Sequence, residues 1–117
     1  MTTKNLIKEL EILSQSKENT IEKAVAIEAL MHDDVSAFFS DLFQYGCVSG
    51  MVNSLIYYVD THTFFDTHYH QIENIRTEYE ESTGTSYVIK SDLKNDLAWF
   101  AFEYIALQVS QNLGLDV

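Results

Sequence analysis

The run from Asp92 to Leu113 constrains this chain more than any other stretch. At helical spacing one apolar stripe passes through Leu93, Leu97, Phe100, Tyr104 and Leu107. A second stripe, nearly opposite, passes through Ala98, Phe102, Ile105, Val109 and Leu113. Only a narrow strip between them is polar: Asp96, Trp99, Glu103 and Ser110. A helix that is apolar on two sides must be covered on two sides. The spacing therefore predicts a central helix over 92–113, on the order of 30 Å long. The fold expected around it is all-α, a compact bundle of five or six helices with Trp99 mostly buried.

The rest of the composition agrees with that expectation. A chain of 117 residues suits a single domain, 1–117, with a core of its own. There is no proline, and the four glycines stand at positions 46, 50, 84 and 114, so long helices joined by short turns are favoured. Cys47 is the only cysteine and has no partner for an internal disulfide. The N-terminus carries no signal-like apolar run, and no apolar stretch is long enough to span a bilayer. A cytoplasmic protein is expected, with no membrane contact.

Charge narrows the partners. Eighteen acids against seven bases give a net charge of −11. Such a surface repels nucleic acid, whose binding needs Lys and Arg on phosphates, and anionic membranes for the same reason. What remains is solubility, or docking on a basic partner such as a nucleic-acid-binding protein.

The segments follow from the apolar spacing. A first helix over 3–14 buries Leu6, Leu10 and Leu13. Asn19 or Thr20 caps a second, which runs to about Met31 through Ile21, Val25 and Ala29. Asp33 or Asp34 caps a third, carrying Val35, Phe38, Phe39, Leu42 and Phe43. Gly46 to Gly50 reads as a tight link before a short fourth helix ending near Asp60. A fifth helix spans 61–83 with a core face of Phe64, Phe65, His68, Ile72, Ile75 and Tyr79, and Gly84 stops it. Tyr87-Val88-Ile89 reads as an extended link, and Ser91 as the cap of the last helix.

Three constellations could carry chemistry. His62, Asp66 and His70 recur every four residues and share one helical face with Glu73, an arrangement that could hold a zinc-like ion. That face points away from Phe64, Ile72 and Ile75, so a solvated row without metal is expected, and His68 reads as a core histidine. Glu28 and His32-Asp33 make no complete ligand set, and helix capping accounts better for the aspartates. Asp96 and Glu103 stand about 10 Å apart along the last helix, too far to share a proton. A pairing of one of them with Arg76, the only arginine, is the expected structural role. Cys47 lacks a marked base. No phosphate loop or nucleophile elbow occurs, so no cofactor and no enzymatic activity are expected.

At Gly46-Cys47-Val48-Ser49-Gly50-Met51-Val52, Leu55-Ile56-Tyr57-Tyr58 and Asn95-x-Leu97-Ala98-Trp99-Phe100-Ala101-Phe102-Glu103, the chain resembles a family of small bacteriophage and prophage proteins without an assigned activity. The matching parts cover about residues 30 to 114, and the first helix lies outside them. The resemblance implies a phage accessory role in the host cytoplasm. By analogy of source and charge, that role is inhibition of a host defence system, of anti-CRISPR or anti-restriction type. The expected partner is a host protein, such as a nucleic-acid-binding nuclease or effector. Asp33, Asp34, Glu73, Glu78, Glu80 and Glu81 would steer the encounter, and Tyr57 and Tyr87 would anchor it. A homodimer is a further association open to the chain. The alternative function is a metal-binding protein or enzyme built on His62, Asp66 and His70.

Overall fold

The computed structural model describes residues 3–45, 61–86 and 92–115. Among these residues there are six helices and no strand: α1 (Thr3–Ser14), α2 (Ile21–Leu30), α3 (Val35–Tyr45), α4 (Thr61–Thr67), α5 (Tyr69–Thr83) and α6 (Leu93–Asn112). The architecture is an all-α bundle with α6 at its centre. Helices α2, α3, α4 and α5 all pack against α6, and α1 lies on α2.

The burial of α6 explains this arrangement. Leu97, Ala98, Trp99, Ala101, Phe102, Ile105, Ala106, Val109 and Ser110 are all buried. At 3.6 residues per turn they occupy an arc of roughly 220°. The second expected stripe, Ala98, Phe102, Ile105, Val109 and Leu113, is wholly inside. The first is only partly so, because Leu93 and Leu107 are 45% and 40% exposed. The strip read as polar is rotated inward: Trp99 keeps 7% of its surface and Ser110 none. Ser110 can sit there because its hydroxyl donates to the Leu107 carbonyl at 2.8 Å, so no polar atom is stranded.

Phe102 lies at the middle of this core with no exposed surface. Phe64 of α4 meets it edge-on at 6.4 Å between ring centres, and Trp99 does so at 6.3 Å. Phe39 and Leu42 of α3, Ile72 of α5 and Val25 of α2 complete the same cluster. Edge-to-face rings add to the large area each aromatic removes from water.

Local signals fix the helix ends. Thr20 accepts from the Lys23 amide and caps α2. Asp34, not Asp33, caps α3, accepting from the Ala37 amide at 3.1 Å. The cap of α6 is Asp92 rather than Ser91: its carboxylate accepts from the amides of Lys94 and Asn95. Aspartate also places a charge on the positive end of the helix dipole, which a serine cannot. Gly84 ends α5 in the left-handed region at φ 72°, donating to the Glu80 carbonyl. At the end of α6 the amides of Gly114 and Leu115 reach back to Gln111 and Ser110, with Gly114 at φ 76°. This paired closure satisfies two carbonyls that would otherwise be orphaned.

The fifth helix expected over 61–83 is two helices. His68 separates α4 from α5 with φ −109° and ψ 24°, outside helical geometry. The expected core face survives the break: Phe64, Phe65, His68, Ile72 and Ile75 are buried, and Tyr79 is half-buried. The Gly46 to Gly50 link, Cys47, the short helix before Asp60, the Tyr87 to Ile89 link and the side chain of Phe43 lie outside the described residues.

Truncating Phe102 to alanine should cost about 3–5 kcal/mol, the transfer of the ring plus the cavity it leaves. Urea unfolding followed by far-ultraviolet circular dichroism measures this. A cost below about 1 kcal/mol would mean that Phe102 is not at the centre of a packed core.

Candidate functional site

The expected histidine row is real as a surface feature, but its members are turned to other work. His62, Asp66 and His70 are all exposed. His62 Nε2 lies 2.7 Å from Asp92 Oδ2, and Lys94 Nζ donates to Asp66 Oδ1 at 2.9 Å. Beside them the Thr61 hydroxyl donates to Asn95 Oδ1, also at 2.9 Å. Three side chains of α4 thus clasp the first turn of α6. The bond from His62, followed by the Asn95 amide, holds the Asp92 carboxyl below its usual range. Among the described residues no three His, Cys, Asp or Glu side chains converge as a metal-ligand set.

The acids expected to meet a partner are spread, not gathered. Asp33 is exposed beside Asp34, whose carboxylate is occupied as the α3 cap. On α5, Glu73 and Glu80 stand within about 20° of each other around the axis, with Glu81 about 100° and Glu78 about 160° from Glu80. Glu80 lies 3.9 Å from Arg76 Nε. This replaces the expected pairing of Arg76 with Glu103 or Asp96, which is not found among the described residues: α5 carries its own acid one turn on, at no cost in reach. Glu78 accepts from the hydroxyl of Tyr104, and burial, then the Glu78 charge, push that phenol upward. Glu81 is exposed, Glu73 half-buried. Tyr57 and Tyr87 lie outside the described residues.

One aromatic outside the expected core face is open to solvent. Tyr69 is 47% exposed, stacked edge-on to Phe65 at 5.7 Å and to His70 at 5.5 Å. It begins α5 and lies on the same side of that helix as Glu73 and Glu80, within about 40°. Around the axis it stands about 60° from Ile72 and about 120° from Ile75, at the margin of the buried face, which accounts for its exposure.

Two buried titratable groups stand out. Glu28 on α2 is 5% exposed, and its Oε2 has no hydrogen bond. Burial pushes its carboxyl above the ordinary value of 4.5. His68 is 7% exposed, and burial lowers its pKa, with the Glu22 charge pulling the other way. Its ring packs on Phe64 at 4.6 Å.

The fold and surface therefore define an acidic helical domain with no ligand-triad site among its described residues, and no helix there is long and apolar enough to cross a membrane. Residues 18–115 match the family described as Domain of unknown function (DUF7222), and the chain belongs to it. The match begins within the α1–α2 link, so α1 stands outside it, as the sequence resemblance also had it. No curated protein matches the chain, and no solved structure does.

Glu28 sets a pH dependence. A carboxyl raised in the folded state favours folding most below its unfolded value, and that contribution is lost as pH rises through the folded value. Glu28→Met, similar in length and in helix propensity, should remove this slope above pH 4.5. At neutral pH it should raise stability by about 1–3 kcal/mol. Urea unfolding of both proteins at several pH values tests this. A destabilised variant would show that the carboxylate has a partner worth more than its desolvation.

Proposed function

We propose that this domain acts by binding a basic, nucleic-acid-binding protein and obstructing it, without catalysis of its own. Acting in a bacterial host cytoplasm, it would be a phage or mobile-element inhibitor of host defence, of anti-CRISPR or anti-restriction type. The observation that carries the reading is the net charge of −11, with Asp33 and Glu81 exposed and Glu73 half-exposed. Charge of that size accelerates encounter with a basic groove, and acids placed there stand where phosphates would lie.

Charge gives rate and orientation; affinity needs an anchor. Tyr69 supplies one, an open aromatic on the helix that carries Glu73 and Glu80. Tyr57 and Tyr87 remain further candidates on the sequence alone. Glu78 and Glu80, already engaged with Tyr104 and Arg76, would contribute field more than direct contact.

The test is to capture the partner from bacterial lysate, identify it by mass spectrometry, and measure binding kinetics with purified proteins. Reversing Asp33, Glu73 and Glu81 to lysine should slow association about tenfold and flatten its salt dependence. Tyr69→Ala should instead speed dissociation, by about thirtyfold for a loss of about 2 kcal/mol. Binding indifferent to salt and to the charge reversal would overturn the acidic-docking mechanism.

A further inference from the structure

Beside the break at His68 lies a polar cleft that neither the charge argument nor the helix packing uses. It has a volume of about 340 Å³ and lies between the start of α2 and the α4–α5 junction. Asn19 and Thr20 form one wall; Thr67, His68, His70 and Asn74 form the other. Gln71 ties the two walls together: its Oε1 accepts from the Ile21 amide at 2.9 Å, and its Nε2 donates to the Glu22 carboxylate. The shape of the cleft is therefore held by a braced contact between two helices.

His68 is what makes this cleft more than a surface hollow. The ring is more than nine-tenths buried and fixed against Phe64, yet among the described residues nothing hydrogen-bonds to it. Its polar edge is not sealed off, because among the described residues the side-chain polar atom buried without a partner is Glu28 Oε2, so the ring nitrogens are open to the cleft. Lowered by burial, its pKa keeps the ring neutral at pH 7, with one nitrogen as donor and the other as acceptor. The residue lines the cleft, so an occupant of the cleft can supply what the protein does not.

The chemistry of the walls narrows the occupant. No lysine or arginine lines the cleft, and Glu22 stands behind Gln71, so a phosphate would find no counter-charge. The first-turn amides of α2 are taken by Gln71 and Thr20, which leaves little there for an anion, and no acid lines the cleft to hold an organic cation. Amides, hydroxyls and imidazoles would go unpaired against an apolar ligand. An uncharged ligand with donors, acceptors and a flat face satisfies all three conditions. The side chains of Asn19 and Asn74 each present a carbonyl and an amino group side by side, the pairing that matches the edge of a nucleobase. The volume lies at the lower end of the range for small-molecule sites, enough for a base with its sugar. We propose that this cleft binds an uncharged nucleobase or nucleoside, with His68 hydrogen-bonded to the base. The proposal is independent of the protein-docking reading.

Isotope-labelled full-length protein, titrated with adenosine, cytidine, uridine and inosine in turn and followed by NMR, tests it. At least one nucleoside should shift the ring signals of His68 and the side-chain amide signals of Asn74, saturably. Its 5′-monophosphate should bind about tenfold more weakly, and ribose alone should leave those signals in place. His68→Phe, which keeps an aromatic ring against Phe64, should weaken binding about tenfold, the value of one hydrogen bond at the upper end of its usual range. Asn74→Ala, at an exposed position, should weaken it as well without disturbing the fold. The proposal is overturned if no nucleoside shifts these signals at about 10 mM, a limit set by what the weakest specific contacts would give. It is equally overturned if ribose or the monophosphate binds as well as the nucleoside, or if Asn74→Ala binds with unchanged affinity.

Discussion

Everything in this fold leans on one helix that is buried around more than half of its circumference. With an arc of roughly 220° buried, α6 cannot lie on a surface, and four helices have to gather round it. The cost of ordering them is met where their aromatic and branched side chains meet α6, at Phe102, Phe64, Phe39 and Ile72, none of which exposes more than 1% of its surface. Helix α1 packs mainly on α2, and the family match leaves it out.

Polar contacts then decide how the helices are set, more than how strongly they hold. The clasp of Thr61, His62 and Asp66 on Asn95, Asp92 and Lys94 joins α4 to the first turn of α6. Gln71 does the same between α5 and α2. The ion pairs in these contacts are largely exposed, and such pairs are worth little individually. Their geometry nevertheless fixes relative position, because each bond has a short reach and a direction. The cleft beside His68 exists because Gln71 holds its two sides at a set distance.

Much of the fold was legible in the sequence, because burial leaves a period. The two-sided pattern of 92–113 announced a central helix, and the segments 3–14, 21–30 and 35–45 followed from their apolar spacing with caps and stops nearby. The break at His68 was not legible. Periodicity reports which face is buried, and Phe64, His68, Ile72 and Ile75 keep one face whether or not the axis is interrupted. The choice of Asp92 over Ser91 as cap was also hidden, since neighbouring residues of equal capping ability differ only in where the first helical residue falls. The candidate site was less legible still. Surface acids carry no period, so the sequence showed a cluster in Glu73, Glu78, Glu80 and Glu81 where the helix scatters them around its axis. The cleft beside His68 was hidden as well, since it needs the start of α2 set against the α4–α5 junction. Partners such as Glu80 for Arg76, or Asp92 for His62, depend on rotamers and helix docking that no linear spacing encodes.

If α6 is the hub, its amides should be the last to exchange with solvent. Native-state hydrogen exchange measures this directly, residue by residue, as the free energy of the opening that exposes each amide. The account predicts that Leu97 to Val109 exchange only through global unfolding, with α1 opening at lower cost because it packs mainly on α2. Greater protection in α1 and α2 than in α6 would contradict it, and would place the centre of the fold in the α1–α2 pair instead.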